Sequence, residues 1–201
     1  MRRAERRALL ACGLCLGLTG AAGADGRFVR LDATGAPTED RNAWTCTRDT
    51  ATGLTWEVKT VDGGLRDRRW TYTPYDGNPA TNGGYAGYRD TTSGKCGREQ
   101  MAGGSCNTET YVAAVNRAGL CGHRDWRLPA YPELAAMARQ TTAAARDTTD
   151  LVLPEIEEGW YWTAVATVGV TSFSRVVLLP PRARPQFYDG SYLVLLVRDD
   201  P

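Results

Sequence analysis

Alternating apolar and polar side chains predict short β-strands near the start of the chain. Residues 28–31 form one candidate strand. Residues 54–58 alternate as a half-buried strand does, and Thr52-Gly53 supplies a turn before them. A Gly-Ala-Pro-Thr-Glu-Asp linker separates the two candidates, and the body of the domain is predicted to begin at Trp44.

Helical periodicity occurs twice in the middle of the chain. A polar cap at position 107 or 108 opens the first predicted helix, which runs to about residue 117, and Gly119 stands where a left-handed stop is expected. Pro132 and Glu133 open a second predicted helix. The apolar stripe of the first helix consists of Tyr111, Val112 and Val115.

The last third of the chain predicts strands again. The candidates are residues 160–165, 173–179 and 192–197, with loops at 155–158 and 180–185 between them. Strands, then two helices, then strands favour an α+β fold over alternating α/β units. With 201 residues, the chain suits a single domain.

The first 24 residues resemble a targeting segment. A basic start precedes an apolar stretch at residues 9–18, and Ala22-Gly23-Ala24 fits a cleavage site. The mature chain is therefore expected to begin near Asp25. A lipoprotein is the alternative, with Cys12 as the lipid acceptor. No later segment is apolar enough to predict a membrane span.

Charge and histidine content exclude several functional classes. The segment 1–24 holds four Arg and one Glu, so the remaining chain holds 20 basic and 22 acidic side chains, which predicts no nucleic-acid partner. His123 is the single histidine, so metal motifs that need two imidazoles are excluded. No phosphate-binding glycine motif is present. We expect no metal and no cofactor.

Four cysteines remain after residue 24, and an even number in an exported chain predicts disulfides. Three connectivities are open. The short interval from Cys96 to Cys106 can close as a small loop, which would leave Cys46 to pair with Cys121. The long pair would tie the early strands to the chain beyond the first helix. The Gly-, Asn- and Tyr-rich loop at residues 77–104 would be held by a disulfide, since loops of this length are often functional or covalently held.

Several short motifs, in a fixed order from about Trp44 to Arg198, resemble one bacterial family without an assigned function, the Legionella collagen-like protein C-terminal (Lcl C-terminal) domain family. The motifs are Asp49, Thr52-Gly53-Leu54-Thr55-Trp56-Glu57, Gly63-Gly64-Leu65, Tyr111-Val112 with Asn116, Gly119-Leu120-Cys121-Gly122, Asp125-Trp126-Arg127-Leu128-Pro129 with Glu133-Leu134, Tyr161-Trp162-Thr163, and Val197-Arg198.

The resemblance implies a single disulfide-supported, C-type-lectin-like domain of the α+β class, with mixed or antiparallel strands and two main helices. In the family's namesake, the domain is associated with adhesion and with sulfated polysaccharides. The sequence departs from enzymes of related fold: the formylglycine-generating and sulfatase-modifying branch uses a late cysteine pair, and no cysteine follows Cys121. The calcium motifs of C-type lectins are also absent. Because the cysteine pair of the related enzymes is missing, we expect no catalytic residues.

The family motifs predict structural roles for most of their residues. Asp125 and Arg127 are expected to hydrogen-bond across neighbouring loops, although a ligand-facing charge pair is the alternative. Glu133 is expected to favour the first turn of the second helix, and His123 to lie in a surface loop. The residues assigned structural roles are Trp56, Asp125, Trp126, Arg127, Leu128, Pro129, Glu133 and Trp162.

Two groups of side chains are candidates for ligand binding. Aromatic residues interleaved with Asp76, Asn78, Asn82 and Arg89 have the composition of a recognition loop, unless the rings merely cover a small core. An arginine cluster is the second candidate, unless Asp62 and Asp67 neutralise it as surface ion pairs. The aromatic candidates are Trp70, Tyr72, Tyr75, Tyr85 and Tyr88; the arginine cluster is Arg66, Arg68 and Arg69, with Arg182 and Arg184 as possible neighbours.

Together these features predict a signal peptide at 1–24, an N-terminal segment at 25–43 and a domain at 44–201. The expected function is that of an exported, non-enzymatic, lectin-like binding module in the periplasm, at the cell surface or in the medium. A polysaccharide or a protein of the cell envelope is the expected partner. The alternatives are an enzyme or accessory of the sulfatase-modifying branch, and a structural envelope protein.

Overall fold

The computed structural model describes residues 26–82, 84, 86–89, 94–144, 152–164, 176–179 and 190–200. These residues form an α+β domain, as predicted. The strands and helices are β1 Phe28–Leu31, β2 Cys46–Asp49, β3 Leu54–Glu57, α1 Thr108–Ala118, α2 Tyr131–Ala144, β4 Gly159–Trp162, β5 Val176–Leu179 and β6 Val197–Asp199. The predicted signal segment, including Cys12, lies outside the described residues.

The main sheet is antiparallel, with the strand order β1-β2-β3-β6. Arg127 forms a further antiparallel bridge to Val197, so the segment before α2 lies along the outer edge of β6. Strands β4 and β5 form a separate antiparallel pair. Because β1 pairs with β2 throughout, part of the segment predicted to precede the domain contributes a strand to its main sheet.

Successive side chains of β3 point to opposite faces of the sheet. Both faces are covered by other parts of the protein. Trp56 packs with Leu134 and Met137 of α2 in one hydrophobic cluster. Tyr111 and Val115 of α1 belong to another cluster. All four residues of β3 are buried, including polar ones, so their polar groups need partners inside the protein.

Local capping signals place both helices. Asn107 accepts a hydrogen bond from the Thr110 backbone at 2.9 Å, and Gly119 ends α1 in the left-handed region with φ 71°. The Ala130 backbone N–H donates to Glu133 at 2.7 Å, which confirms the role predicted for Glu133 at the start of α2. Helix α2 begins at Tyr131, one residue before the predicted Pro132.

Two disulfides tie the helical part of the chain to the rest. Cys46 in β2 is bonded to Cys121 just beyond α1, with Cα atoms 6.5 Å apart. Cys96 is bonded to Cys106, with Cα atoms 5.7 Å apart. The favoured pairing is therefore confirmed.

Strands β4 and β5 fall on the predicted segments 160–165 and 173–179, whereas the last strand differs from the prediction. Strand β6 begins at Val197, whereas Tyr192 and Leu193 form only isolated bridges, to Tyr72 and Tyr161 respectively. Residues 193–197 are all buried. A fully buried apolar run shows no alternation of apolar and polar side chains, so the sequence does not indicate where a strand begins. Residues 165 and 173–175 of the two preceding candidates lie outside the described part. Within the described part, no helix is both long and apolar enough to cross a membrane.

Candidate ligand-binding cleft

A cleft of about 380 Å³ opens between four parts of the chain. One wall is the segment 74–89, called here the cleft loop, and the opposite wall is the first turns of α1. The segment at Arg127–Ala130 and the end of β4 form the remainder. Most of the lining atoms are apolar, and polar groups lie among them, which is the usual composition of a small-molecule site.

The two arms of the cleft loop pair with each other. Tyr75 forms an antiparallel bridge to Gly87, and the backbone N–H of Tyr88 donates to the carbonyl of Pro74 at 2.8 Å. Gly87 has φ +81°, and a Cβ atom there would collide with the Pro74 carbonyl oxygen. Glycine is therefore required at this position for the arms to approach each other.

Polar side chains hold the tip of the cleft loop. The carboxylate of Asp76 accepts from the Asn78 backbone at 2.9 Å and from the Thr81 hydroxyl at 2.7 Å. The amide nitrogen of Asn82 donates to the Asp76 carbonyl at 3.2 Å. These short-range bonds give a polar loop a defined conformation without an apolar core of its own.

The first turn of α1 anchors the cleft loop from the other side. The Thr108 hydroxyl donates to the Tyr75 carbonyl at 2.8 Å and accepts from the Tyr75 backbone N–H at 3.0 Å. Glu109 Oε1 accepts from the Gly77 backbone N–H at 3.2 Å. The helix therefore fixes the backbone of Tyr75 and Gly77 beside the cleft.

The floor of the cleft consists of core residues. Trp162 is fully buried, and its indole N–H donates to the Tyr72 carbonyl at 2.7 Å. Val112 of α1 and Leu128 lie beside it in the lining. The Ala164 backbone N–H donates to the Pro129 carbonyl at 2.7 Å, which joins the end of β4 to the Leu128 segment.

The structure does not bring the aromatic candidates together on one surface. Tyr75 lines the cleft, and Tyr88 is an exposed neighbour in the same loop. Tyr72 is fully buried, where its ring lies 4.7 Å from that of Tyr111. Trp70 is half-buried and donates to the Gly64 carbonyl at 2.7 Å. The fifth candidate, Tyr85, lies outside the described residues.

Each member of the arginine cluster has a partner within the protein. The guanidinium of Arg66 donates to the Val58 carbonyl at 2.6 Å. Arg68 forms ion pairs with Glu155 at 2.9 Å and with Glu157 at 3.1 Å. These contacts agree with the alternative of a surface ion-pair network. Arg182 and Arg184 lie outside the described residues.

Arg69 pairs with a carboxylate that has no exposed area. Its guanidinium donates to both oxygens of Asp67 at 2.8 Å, and the backbone N–H of Gly63 adds a third bond at 2.7 Å. These bonds, from Arg69 above all, hold the pKa of Asp67 well below its usual range.

The charged residues of the family motifs are ion-paired. Arg198 is almost fully buried and donates to Asp125 at 2.9 Å and to Asp200 at 3.0 Å. Arg127 binds Glu133 of α2 and Asp199 of β6, so its partners lie in a helix and a strand, whereas partners in neighbouring loops were expected. Trp126 is buried and donates to the Leu120 carbonyl at 3.0 Å.

A buried polar cluster, consisting of Glu57, Lys59 and Tyr111, was not predicted from the sequence. The Lys59 ammonium donates to Glu57 at 3.1 Å and to the Tyr111 hydroxyl at 2.8 Å. The Tyr111 hydroxyl donates to Glu57, which also accepts from the Leu196 backbone N–H at 3.0 Å. Burial lowers the pKa of Lys59 and raises that of Tyr111.

The buried polar cluster is inside the protein and does not line the cleft. The hydroxyl of Tyr72 is buried next to it and has no hydrogen-bond partner among the residues that the structure describes. The sequence signal that could have revealed the cluster is the pair Glu57 and Lys59 at alternate positions of an otherwise apolar, buried segment. Two charges on one face of such a segment need each other as partners.

No three His, Cys, Asp or Glu side chains within the described residues are grouped as a metal site would require. His123, the single histidine, is half-exposed in the turn after α1 and does not line the cleft. The groups offered by the cleft are thus an aromatic ring, an apolar floor, amide and hydroxyl groups, and carboxylates. Such groups bind ligands through stacking and hydrogen bonds.

Comparison with known proteins gives one family. The model of the Lcl C-terminal domain matches residues 45–198, which is about three quarters of the chain and includes every described element except β1 and the last residue of β6. Searches of the curated proteins and of the solved structures found no match.

Proposed function

This chain belongs to the Lcl C-terminal domain family, and from that starting point we propose that it is an exported, non-enzymatic binding domain that takes a short stretch of glycan into the cleft. The family and the two disulfides are consistent with an extracellular protein. Export through cleavage after residue 24 is part of the proposal, as is the C-type-lectin-like relationship.

The observation that carries the proposal is the composition of the cleft. A sugar ring has apolar C–H faces and a rim of hydroxyl groups. Tyr75 offers an aromatic surface, and the exposed side chains of Thr81 and Glu109 add a hydroxyl group and a carboxylate beside an apolar floor. Because the loop and helix already hold each other by hydrogen bonds, little ordering is needed when a ligand binds.

The arginine cluster gives less support to binding through sulfate groups. Arg68 and Arg69 are engaged by carboxylates, so an anionic ligand would have to displace those partners. An uncharged ligand in the cleft avoids this competition. The proposal therefore places recognition at the cleft and predicts binding that changes little with salt concentration.

The test is calorimetric titration of the oxidised protein with neutral hexasaccharides of glucose, N-acetylglucosamine and mannose. At least one should bind saturably, and Tyr75→Ala should weaken that binding at least about tenfold, since it removes the stacking surface. Tyr88→Ala is the matched control, because Tyr88 lies in the same loop but outside the cleft lining. It should change the affinity less than about twofold.

A second pair of variants tests the same site from α1. Val112→Phe adds a ring to the cleft, and Arg117→Phe adds the same ring to an exposed position of the same helix. Only Val112→Phe should reduce binding. Absence of binding to every neutral hexasaccharide, or equal losses in both variants, contradicts the proposal and makes a protein partner the better explanation.

A further inference from the structure

The cleft presents polar and aliphatic groups on separate parts of its wall. Glu109 in the first turn of α1 and Val112 one turn further along both line it, because residues three positions apart lie on the same face of a helix. Leu128 and Ala130 extend the aliphatic part of the lining. A ligand that fills the cleft therefore meets an exposed polar rim and an apolar surface beyond it.

The polar side chains deeper in the lining are already bonded within the protein. The amide nitrogen of buried Asn82 donates to the Asp76 carbonyl at 3.2 Å, and its amide oxygen accepts from a backbone N–H of the cleft loop at 2.9 Å. Thr108 exchanges two hydrogen bonds with the Tyr75 backbone, and Thr163 is buried. A sugar hydroxyl that reaches past the rim would therefore lose its water without gaining a partner, which is unfavourable.

The charges at the mouth of the cleft are paired. The exposed guanidinium of Arg89 donates to the Tyr75 hydroxyl at 3.2 Å. This bond above all, and the attraction of Glu109 in addition, raise the pKa of Arg89. Arg127 in the lining binds Glu133 at 2.8 Å. Because each of these charges has a counter-charge, charge gives little discrimination among neutral sugars, and the fit of apolar groups decides between them.

The aliphatic part of the wall is accessible to a ligand. Val112, Leu128, Ala130 and Ala164 line the cleft and are each only half-buried. Val112 and Leu128 are held in place by packing against the core. A ring that carries only hydroxyl groups leaves such a surface wet or covers it at a cost, whereas a methyl group covers it favourably.

We propose that the cleft is selective for N-acetylated amino sugars, with the methyl group of the acetamido substituent packed against Val112 and Leu128. This inference rests on the proposed function, because it names the class of neutral sugar that the same cleft prefers. The sugar ring stacks on Tyr75, its hydroxyl groups meet Thr81 and Glu109 at the exposed rim, and the acetyl group covers the aliphatic surface.

The experiment compares the β-1,4-linked hexasaccharides of N-acetylglucosamine and of glucose by calorimetry at physiological salt. Both ligands are uncharged, and each ring differs only in the acetamido group that replaces one hydroxyl. The N-acetylglucosamine oligomer should bind at least about tenfold more tightly, since one additional small apolar group in an apolar pocket gives discrimination of this order.

Val112→Thr tests which surface the acetyl group contacts. Threonine keeps the shape of valine and replaces one methyl group by a hydroxyl, so the preference for the N-acetylglucosamine oligomer should fall at least about threefold. The readout is the ratio of the two affinities, which a general weakening of the fold would leave unchanged. Val61→Thr is the matched control, because Val61 is 55% exposed and lies outside the cleft lining. It should leave the ratio unchanged.

The heat capacity of binding provides a second measurement that needs no variant. Burial of the acetyl group should make the heat-capacity change more negative for the N-acetylglucosamine oligomer than for the glucose oligomer. Equal affinities, equal heat-capacity changes or a ratio unchanged in Val112→Thr would overturn the inference, while saturable binding of any neutral oligomer leaves the proposed function intact. If none of the glucose, N-acetylglucosamine and mannose oligomers binds, the proposed function itself fails.

Discussion

The buried polar cluster and the rim of the cleft both join carboxylates to hydroxyl groups, but their surroundings are opposite. Glu57 and Lys59 are almost fully buried, and their polar atoms bond to each other, to Tyr111 and to the backbone. At the rim, Glu109 is exposed and holds the cleft loop by a single oxygen.

The difference concerns the role of the ionisable groups whose pKa values are strongly shifted. Perturbed pKa values often mark functional sites, but structural ion-pair clusters produce them too. Here the pKa shifts of Lys59 and Tyr111 arise inside the core, away from the cleft lining. The buried polar cluster therefore has a structural role, and we propose ligand recognition at the cleft; the variants below act on one side at a time.

Glu57→Ala should have the largest effect, because it leaves the Lys59 ammonium buried without its carboxylate. We expect a loss of about 3–5 kcal/mol in the free energy of unfolding, measured by chemical denaturation. The double variant Glu57→Leu with Lys59→Met removes both charges and should recover much of that loss. A single-variant cost below about 1 kcal/mol would contradict the structural role of the cluster.

The two disulfides should differ in how much they contribute to the stability of the fold. In the chain-entropy model, loss of the bond between Cys46 and Cys121, which are 75 residues apart, costs about 4 kcal/mol. Loss of the bond between Cys96 and Cys106, which are 10 residues apart, costs roughly 3 kcal/mol. Serine pairs at each bridge, compared by thermal unfolding, should follow this order. The reverse order would show that the long bridge does not restrain the unfolded chain as assumed.

Gly87→Ala acts on the cleft loop alone. The new Cβ would collide with the Pro74 carbonyl at a residue with φ +81°, so we expect a stability loss of about 1–3 kcal/mol and weaker oligosaccharide binding. Gly84→Ala is the control, because Gly84 has φ +91° but open space around its Cβ position. It should cost only the conformational strain, about 1 kcal/mol. Equal costs at both positions would argue against the paired arms of the loop.

Lowering the pH should weaken the region beside the buried polar cluster. The pKa of Asp67 is depressed in the folded protein, chiefly by hydrogen bonds from Arg69, so the unfolded chain takes up a proton at higher pH than the folded chain does. The stability that Asp67 contributes is therefore present above about pH 4 and is lost as the pH falls further. Asp67→Asn should reduce the slope of unfolding free energy against pH below about pH 4. An unchanged slope would contradict this assignment.

Tyr75→Ala should have the smallest effect on stability. Its side chain is half-exposed, so we expect a loss of about 1 kcal/mol or less in thermal unfolding together with the loss of binding described above. A loss of several kcal/mol would show that Tyr75 is needed for stability, and it would contradict the proposed difference between the cleft and the buried polar cluster.

Local signals made several elements predictable. Strand β1 matches the prediction, and β3 follows the alternation at 54–58. Helix α1 lies between a polar cap, Asn107, and Gly119, as its sequence indicates. Each of these signals depends on neighbours within a few positions.

Strand β2 was missed because its buried polar residues find distant partners. The Thr47 hydroxyl donates to the Val152 carbonyl at 2.8 Å, and Asp49 pairs with Arg27 at 2.8 Å. A polar segment whose partners lie far along the chain gives no local sign of burial. The same holds for the buried polar cluster, where Lys59 meets Tyr111 across 52 positions.

The site was predictable only in part. The composition of the cleft loop marked Tyr75 as a candidate, and this residue does line the cleft. The opposite walls were predicted as helix and structural residues, because Val112, Leu128 and Trp162 also pack against or lie in the core. Only the docking of the loop on α1 through Thr108 and Glu109 creates a cavity between them.

The most direct test of the account is an NMR titration of the 15N-labelled oxidised protein with the neutral oligosaccharide that binds best. The account predicts chemical-shift changes at the backbone amides of Gly77, Gly87, Val112 and Ala164, which surround the cleft, and little change at Arg66, Arg68 and Arg69. Changes confined to the arginine cluster, or spread through the protein without a maximum at the cleft, would contradict it.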